Sequence, residues 1–124
     1  MVIPDEIREQ LVAHARDRLP NEACGLVAFR DGVADRYLPG ENALESPYRF
    51  ELRPSDPADF FLEDEGYELA VFHSHPESEP RPSRTDVANI GLWEGRPYLI
   101  MRADTGELRG WRIQDGSVDP LALE

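Results

Sequence analysis

The segment Y-E-L-A-V-F-H-S-H-P, from Tyr67 to Pro76, is a compact apolar run that ends in two histidines. A short run of this kind is typical of a strand buried at the centre of a sheet. Pro76 has no backbone N–H and cannot continue the hydrogen-bond ladder, so the strand is expected to end there, at an edge that is open to solvent. We therefore predict a central strand that delivers His73 and His75 to a cleft.

Helical and extended segments alternate on both sides of this strand. Apolar residues recur every four positions from Pro4 to Leu19, which predicts an amphipathic helix. The other predicted elements are strands over residues 25–30, 33–38, 48–52, 98–102 and 108–113, a helix over 54–65 capped by Ser55 or Asp56, and a helix that follows Ser83. Asp31-Gly32 predicts a hairpin turn, and the end from Pro120 to Glu124 is expected to be frayed. The interleaving favours an α/β fold with a single mixed sheet flanked by helices.

The length of 124 residues is that of one domain, predicted to span residues 1–124. There is no apolar run of membrane-spanning length and no secretory signal, so we expect a cytoplasmic protein without a membrane partner. The net charge of -12 repels phosphate backbones and argues against nucleic acid as a partner.

Residue usage limits the chemistry further. All thirteen basic residues are arginine, which excludes a Schiff-base lysine and a P-loop lysine. Cys24 is the only cysteine, so neither an internal disulfide nor a cysteine-based zinc cage can form. A metal site would have to use histidines and carboxylates.

Alternation along a strand places residues i and i+2 on the same face, so His73 and His75 can present two imidazoles to one metal ion. Asp86, a few residues into the following helix, can return to the same place as a carboxylate ligand. Two histidines and one aspartate suit zinc, and three protein ligands leave the fourth position to a water, as in catalytic sites. We predict one zinc ion per chain.

Hydrolysis at such a site also needs a base and a group that stabilises the developing oxyanion. Glu22, in N-E-A-C-G at the junction of helix and strand, is the candidate base. Ser83 is the candidate hydrogen-bond donor to the oxyanion.

Each residue also has a structural explanation. An H-x-H pair can be a surface pair, and Ser83-x-x-Asp86 before an apolar run is by itself a helix capping box. The joint pattern H-x-H-x₇-S-x₂-D, however, would arise by chance about once in ten thousand chains of this length. His14 is expected to be a half-exposed surface residue, and Cys24 to pack as a small apolar residue.

Glu22, His73-Ser74-His75, Ser83 and Asp86 together resemble the complete signature of the JAMM (MPN+) zinc metalloproteases. The segments N-E-A-C-G-L, E-N-A-L-E-S-P-Y-R-F and P-S-R-T-D resemble the short prokaryotic members of that family. The resemblance covers about residues 3–113.

The resemblance implies a cytidine-deaminase-like α/β sandwich in which His73, His75 and Asp86 bind zinc, Glu22 is the base and Ser83 stabilises the tetrahedral intermediate. It implies hydrolysis of a peptide or isopeptide bond after the C-terminal Gly-Gly of a ubiquitin-like or sulfur-carrier protein. The leaving group, a conjugated protein or a cysteine, stays open, as does a homodimer. The alternative function is a non-catalytic MPN-type scaffold that binds partner proteins.

Overall fold

A computed structural model describes residues 1–124. The chain forms two α-helices and seven strands, which are α1 Asp5–Asp17, β1 Cys24–Arg30, β2 Val33–Asn42, β3 Leu52–Pro54, β4 Glu68–His75, α2 Arg84–Ala88, β5 Pro97–Arg102, β6 Leu108–Gln114 and β7 Ser117–Leu121. Two 3₁₀ helices, Pro57–Glu65 and Gly91–Trp93, flank β4 and α2 in sequence. The longest α-helix, α1, has 13 residues, and none of the helices could span a membrane.

The strands form one mixed sheet in the order β3-β2-β1-β4-β5-β6-β7. Every neighbouring pair is antiparallel except β4 and β5, which are parallel. A parallel pair needs a crossover connection, and here residues 76–96, which include α2, supply it. The predicted single mixed sheet with a central strand that carries both histidines is confirmed.

Each face of the sheet has its own apolar cluster. On one face, α1 contributes Ile7, Leu11 and Ala15, spaced four residues apart, to a cluster that includes Phe72. On the other face, Val71 belongs to a cluster with Tyr98, Ile100, Trp111 and Ile113. Because side chains alternate along a strand, His73 and His75 share the face of Val71, opposite α1.

Three elements of the structure differ from the predicted ones in their bounds or in their type. Residues 48–51 are not a strand, and only Leu52 of the predicted segment lies in β3. The segment 54–65 forms a 3₁₀ helix that begins at Pro57, although the predicted Asp56 cap is present, its side chain accepting from the Ala58 amide at 2.9 Å. The helix after Ser83 has only five residues, and the chain then passes through Gly91, whose φ of 49° is incompatible with a continued helix.

The expectation of a frayed end was wrong. Residues 117–121 form β7, which pairs with β6, and Leu123 packs against the α1 cluster. The turn before β7, Asp115-Gly116, has φ values of 50° and 79°, close to the 53° and 78° of the predicted hairpin turn Asp31-Gly32. Both dipeptides have the positive φ pair of a type I′ turn, so Asp115-Gly116 is the same hairpin signal as Asp31-Gly32.

Candidate metal centre

The predicted site residues come from three segments that meet at the carboxyl end of β4. His73 and His75 are the last residues of β4 on one face, and both are buried. Glu22 lies two residues before β1, which pairs with β4 in a register that sets Cys24 opposite His73. Asp86 lies in the first turn of α2, within the crossover that leaves β4.

Three side-chain atoms form a nearly equilateral triangle. The two histidine Nε2 atoms lie 3.1 Å apart, and Asp86 Oδ2 lies 3.4 Å from Nε2 of His73 and 3.2 Å from Nε2 of His75. A tetrahedral zinc ion with bonds of about 2.0–2.2 Å separates its ligand atoms by about 3.3–3.6 Å. The residues therefore fit a zinc ion without rearrangement of the backbone.

Glu22 is the second carboxylate near the histidine pair. Its Oε1 lies 3.9 Å from Nε2 of His73, and one ligand atom from each of Glu22, His73 and His75 lies within 4.8 Å of the others. Glu22 is buried, and its Oε1 has no hydrogen-bond partner. Asp86 is the nearer carboxylate to both imidazoles, which leaves Glu22 beside the triangle with an unpaired oxygen.

The two imidazoles are oriented by different means. Nδ1 of His75 lies 2.8 Å from the Glu79 carbonyl oxygen. A carbonyl can only accept, so Nδ1 carries the proton and the lone pair of Nε2 faces the triangle. The His73 ring is held by packing, stacked on Phe50 with ring centroids 4.5 Å apart and edge-on to Tyr98 at 5.2 Å.

The electrostatics favour a neutral imidazole beside an anionic carboxylate. Burial lowers the pKa of His73, and the attraction of Asp86 only partly opposes this. Burial by itself would raise the pKa of Asp86, but His73, hydrogen bonds to both imidazoles and the Ser83 amide together hold that pKa below its usual range. This is the ionisation state in which the groups bind a metal ion.

The pKa of Glu22, unlike that of Asp86, lies above its usual range. Burial, with a smaller contribution from the Asp86 charge, raises the pKa of Glu22 from 4.5 to about 9. A cation bound between the histidines would lower this pKa, because a nearby positive charge favours the carboxylate. Without a cation the Glu22 carboxyl is therefore mostly protonated at neutral pH, and a bound cation would shift it towards the carboxylate that a general base requires.

Ser83 forms the capping box that its spacing predicts. Its Oγ accepts from the Asp86 amide at 3.0 Å, and Asp86 Oδ2 accepts from the Ser83 amide at 2.9 Å. The structural explanation of Ser83 thus holds in this protein. The cap uses the serine oxygen only as an acceptor, so the hydroxyl proton remains available for a second partner.

Sequence reasoning missed three residues that surround the site. Phe50 stacks on His73, Ser74 bonds the segment that carries Glu22, and Asn42 bonds both Glu22 and the loop that carries Phe50. All three lie in segments that carry the family resemblance, but the sequence does not indicate these contacts, because the partners are distant in the chain.

The other titratable candidates lie outside the triangle. Cys24 is fully buried, and burial raises the pKa of its thiol to about 12, so it packs as an apolar residue as predicted. His14 is half-exposed, as predicted, and its Nδ1 lies 2.6 Å from the Tyr37 hydroxyl.

A cleft of about 470 Å³ opens beside Asp86. Its walls come from the loop 43–51, the 3₁₀ helix Pro57–Glu65 and the crossover after α2. The apolar residues that line it are Leu44, Phe50, Leu52, Phe60, Ile90, Leu92, Trp93 and Tyr98. An extended apolar segment could lie in this cleft with a backbone carbonyl near the triangle.

Comparisons of the chain with known proteins find a matching family and similar relatives. The family model described as prokaryotic homologs of the JAB domain matches residues 4–114. The CysO-cysteine peptidase of Mycobacterium tuberculosis is 34% identical, over 95% of this chain and 86% of that protein. A Thermus thermophilus protein named "Probable TtuB-protein conjugate cleaving protease" is also 34% identical, over 99% of this chain and 82% of its own length.

The fold is similar to a solved structure as well. A JAB1/MPN domain protein from Archaeoglobus fulgidus superimposes with a TM-score of 0.64 at 20% identity, over 100% of this chain and 97% of that one. At this identity the likeness concerns the fold alone.

Proposed function

The chain belongs to the prokaryotic family of JAB-domain proteins, and from this we propose that it is a zinc peptidase for a ubiquitin-like or sulfur-carrier protein. The bond hydrolysed would be the peptide or isopeptide bond after the C-terminal Gly-Gly of that carrier. The single observation that carries the proposal is the triangle of two imidazole nitrogens and one carboxylate oxygen with sides of 3.1–3.4 Å. The names of the two relatives support a protein conjugate as substrate.

In this proposal His73, His75 and Asp86 hold the zinc ion. Zinc bound by three protein ligands lowers the pKa of water to about 7 and polarises a carbonyl group. The imidazoles contribute neutral donors, and Asp86 contributes the one negative charge that partly offsets the charge of the ion. The bond from His75 to the Glu79 carbonyl keeps the His75 ring in the ligating tautomer.

Glu22 would carry the proton in this reaction. Its unpaired Oε1 is buried next to the histidines, 3.9 Å from Nε2 of His73, whereas the Asp86 carboxylate is bonded to both imidazoles and to the Ser83 amide. The carboxylate would take a proton from the attacking water and give it to the leaving amine, so that one group acts first as base and then as acid.

Ser83 would donate its hydroxyl proton to the carbonyl oxygen of the scissile bond as negative charge develops there. The capping bond holds the Ser83 oxygen in place and leaves that proton free. A donor fixed before the reaction contributes more than a mobile one, because it needs no reorganisation in the transition state.

Metal content gives the first test. We expect about one zinc per chain in protein purified without chelator, and its loss in His75→Ala and in Asp86→Ala. His14→Ala is the matched control, because His14 lies outside the triangle and should leave zinc content unchanged. Elemental analysis that finds equal zinc in all four proteins would refute the assignment of the ligands.

Cleavage gives the second test. The protein would be incubated with carriers that bear either a C-terminal cysteine or a lysine-linked protein after Gly-Gly, with products identified by mass. We expect release of one of these groups, and a loss of about 10²–10⁴-fold in Glu22→Gln at full zinc content. Glu77→Gln, a change at an exposed position, is the control. Full zinc content with no cleavage of either conjugate would favour the scaffold function.

A further inference from the structure

Asn42, the last residue of β2, uses the full hydrogen-bonding capacity of its side chain. Oδ1 accepts from the amides of Leu44 and Glu51, both at 3.1 Å. Nδ2 donates to the carbonyl oxygens of Glu22 at 3.1 Å and Arg49 at 3.0 Å. The residue thus joins three positions of one loop to a residue twenty positions earlier in the chain.

Three of these bonds close the loop 43–51. Leu44 lies near its start, and Arg49 and Glu51 lie near its end, where the Ala43 amide also donates to the Glu51 carbonyl at 2.9 Å. A simple turn formed by asparagine needs only the bond to the amide two residues on, here Leu44. The remaining three bonds exceed what a local turn requires.

The fourth bond ties the candidate base to this loop. The Glu22 carbonyl accepts from Asn42, and the Glu22 amide donates to the Ser46 carbonyl in the same loop at 2.8 Å. Both backbone groups of Glu22 are therefore bonded to Asn42 or to the loop that it closes. No hydrogen bond holds the Glu22 carboxyl oxygen Oε1, so its position depends on the Glu22 backbone and on the packing around this buried side chain.

The same loop forms part of the cleft and contacts the metal centre. Phe50 stacks on the ring of His73, and Leu44, Arg49 and Glu51 line the cleft beside Asp86. Movement of the loop would change the cleft wall, the packing of a metal-binding imidazole and the base together.

We propose that Asn42 is a positioning residue that holds Glu22 in a fixed relation to the metal centre. The proposal rests on the proposed function, and it concerns how the base is placed. Since misplacement of a reacting group by about 1 Å can cost about 10²-fold in rate, loss of the bonds from Nδ2 should lower kcat by about 10–100-fold.

Asn42→Asp is the most selective test. Aspartate has the same shape and keeps the Oδ1 acceptor, but its second oxygen cannot donate to Glu22 or Arg49. Asn21→Asp is the matched control, because it adds the same charge next to Glu22 and breaks no side-chain hydrogen bond of the structure. We expect Asn42→Asp to keep its zinc and lose activity, and Asn21→Asp to stay within a few-fold of the parent.

A double-mutant cycle separates positioning from a general structural defect. If Asn42 acts through Glu22, Asn42→Asp should change the residual rate of Glu22→Gln by less than about threefold, because effects of groups that act together are not additive. Multiplied losses in the double variant would overturn the proposal. Asn42→Ala, which removes the donors without adding charge, should give the same non-additivity.

Amide exchange provides a readout that does not depend on activity. We expect exchange at the Glu22 amide to rise by at least about tenfold in Asn42→Asp and in Asn42→Ala, while the Val27 amide in the centre of β1 stays protected. Unchanged Glu22 exchange in both variants would overturn the proposal. If the parent cleaves no conjugate, the proposed function fails, and the exchange experiment still decides whether Asn42 holds Glu22.

Discussion

Removal of the buried Ser74 hydroxyl tests the hydrogen bond that links β4, which carries the two histidines, to the segment that carries Glu22. Ser74 lies between the two histidines on the opposite face of β4 and is fully buried. Its Oγ accepts from the Ala23 amide at 2.9 Å, and its own amide donates to the Ala23 carbonyl at 3.0 Å. The side chain thereby extends the pairing of β1 and β4 one residue beyond the register of Cys24 with His73.

Ser74→Ala would remove the acceptor and leave the Ala23 amide without a partner. Ala23 is 1% exposed, so water cannot replace the lost bond without entering the core. An unpaired buried amide costs about 1–3 kcal/mol. In a domain of this size that loss corresponds to a decrease in Tm on the order of 5–10 °C.

The measurement is a thermal melt and a urea titration of metal-free protein, since bound metal would add its own stabilisation. Ser55→Ala is the control, because the exposed Ser55 hydroxyl donates to the Pro39 carbonyl and its loss can be compensated by water. We expect a change of less than about 0.5 kcal/mol in the control. If Ser74→Ala unfolds at the same temperature and urea concentration as the parent, the buried bond is not a stabilising link.

Three further outcomes follow from the site. The pKa of Glu22 is raised to about 9 in the folded protein, so its contribution to stability is complete below pH 4.5 and is lost as the pH rises towards 9. The urea midpoint of metal-free protein should therefore fall over that pH range. The midpoint of Glu22→Gln should fall by less. Ser83→Ala should lose about 1 kcal/mol of stability through the cap and about 10²–10³-fold in kcat at full zinc content; loss of stability with an unchanged rate would leave only the capping role. Asp56→Ala, which removes the cap of the 3₁₀ helix, should cost about 1 kcal/mol in the same titration without a change in zinc content.

The features that sequence analysis predicted well depend on local chemistry. A proline after an apolar run marks the end of β4, and alternation along a strand then places His73 and His75 on one face. The short spacing from His75 to Asp86 allows the crossover to return the carboxylate to the same strand end. Such patterns involve residues close in the chain, where periodicity and turn chemistry are informative.

The features that were missed depend on contacts between distant segments. Residues 48–51 have a strand-like composition, but the Glu51 amide bonds to Asn42 and the Phe50 ring packs on His73. Neither partner can be identified from the segment itself.

The rate at which Cys24, the only thiol of the protein, reacts with a reagent can measure the opening of the sheet. Cys24 is inaccessible to solvent and lies opposite His73 in the pairing of β1 with β4. Its sulfur contacts the Glu41 carbonyl of β2 at 3.5 Å, so a thiol reagent can reach it only when the sheet opens around β1, and the rate of modification measures that local opening. The same reagent, applied with and without metal, would report how strongly an ion holds the strands together.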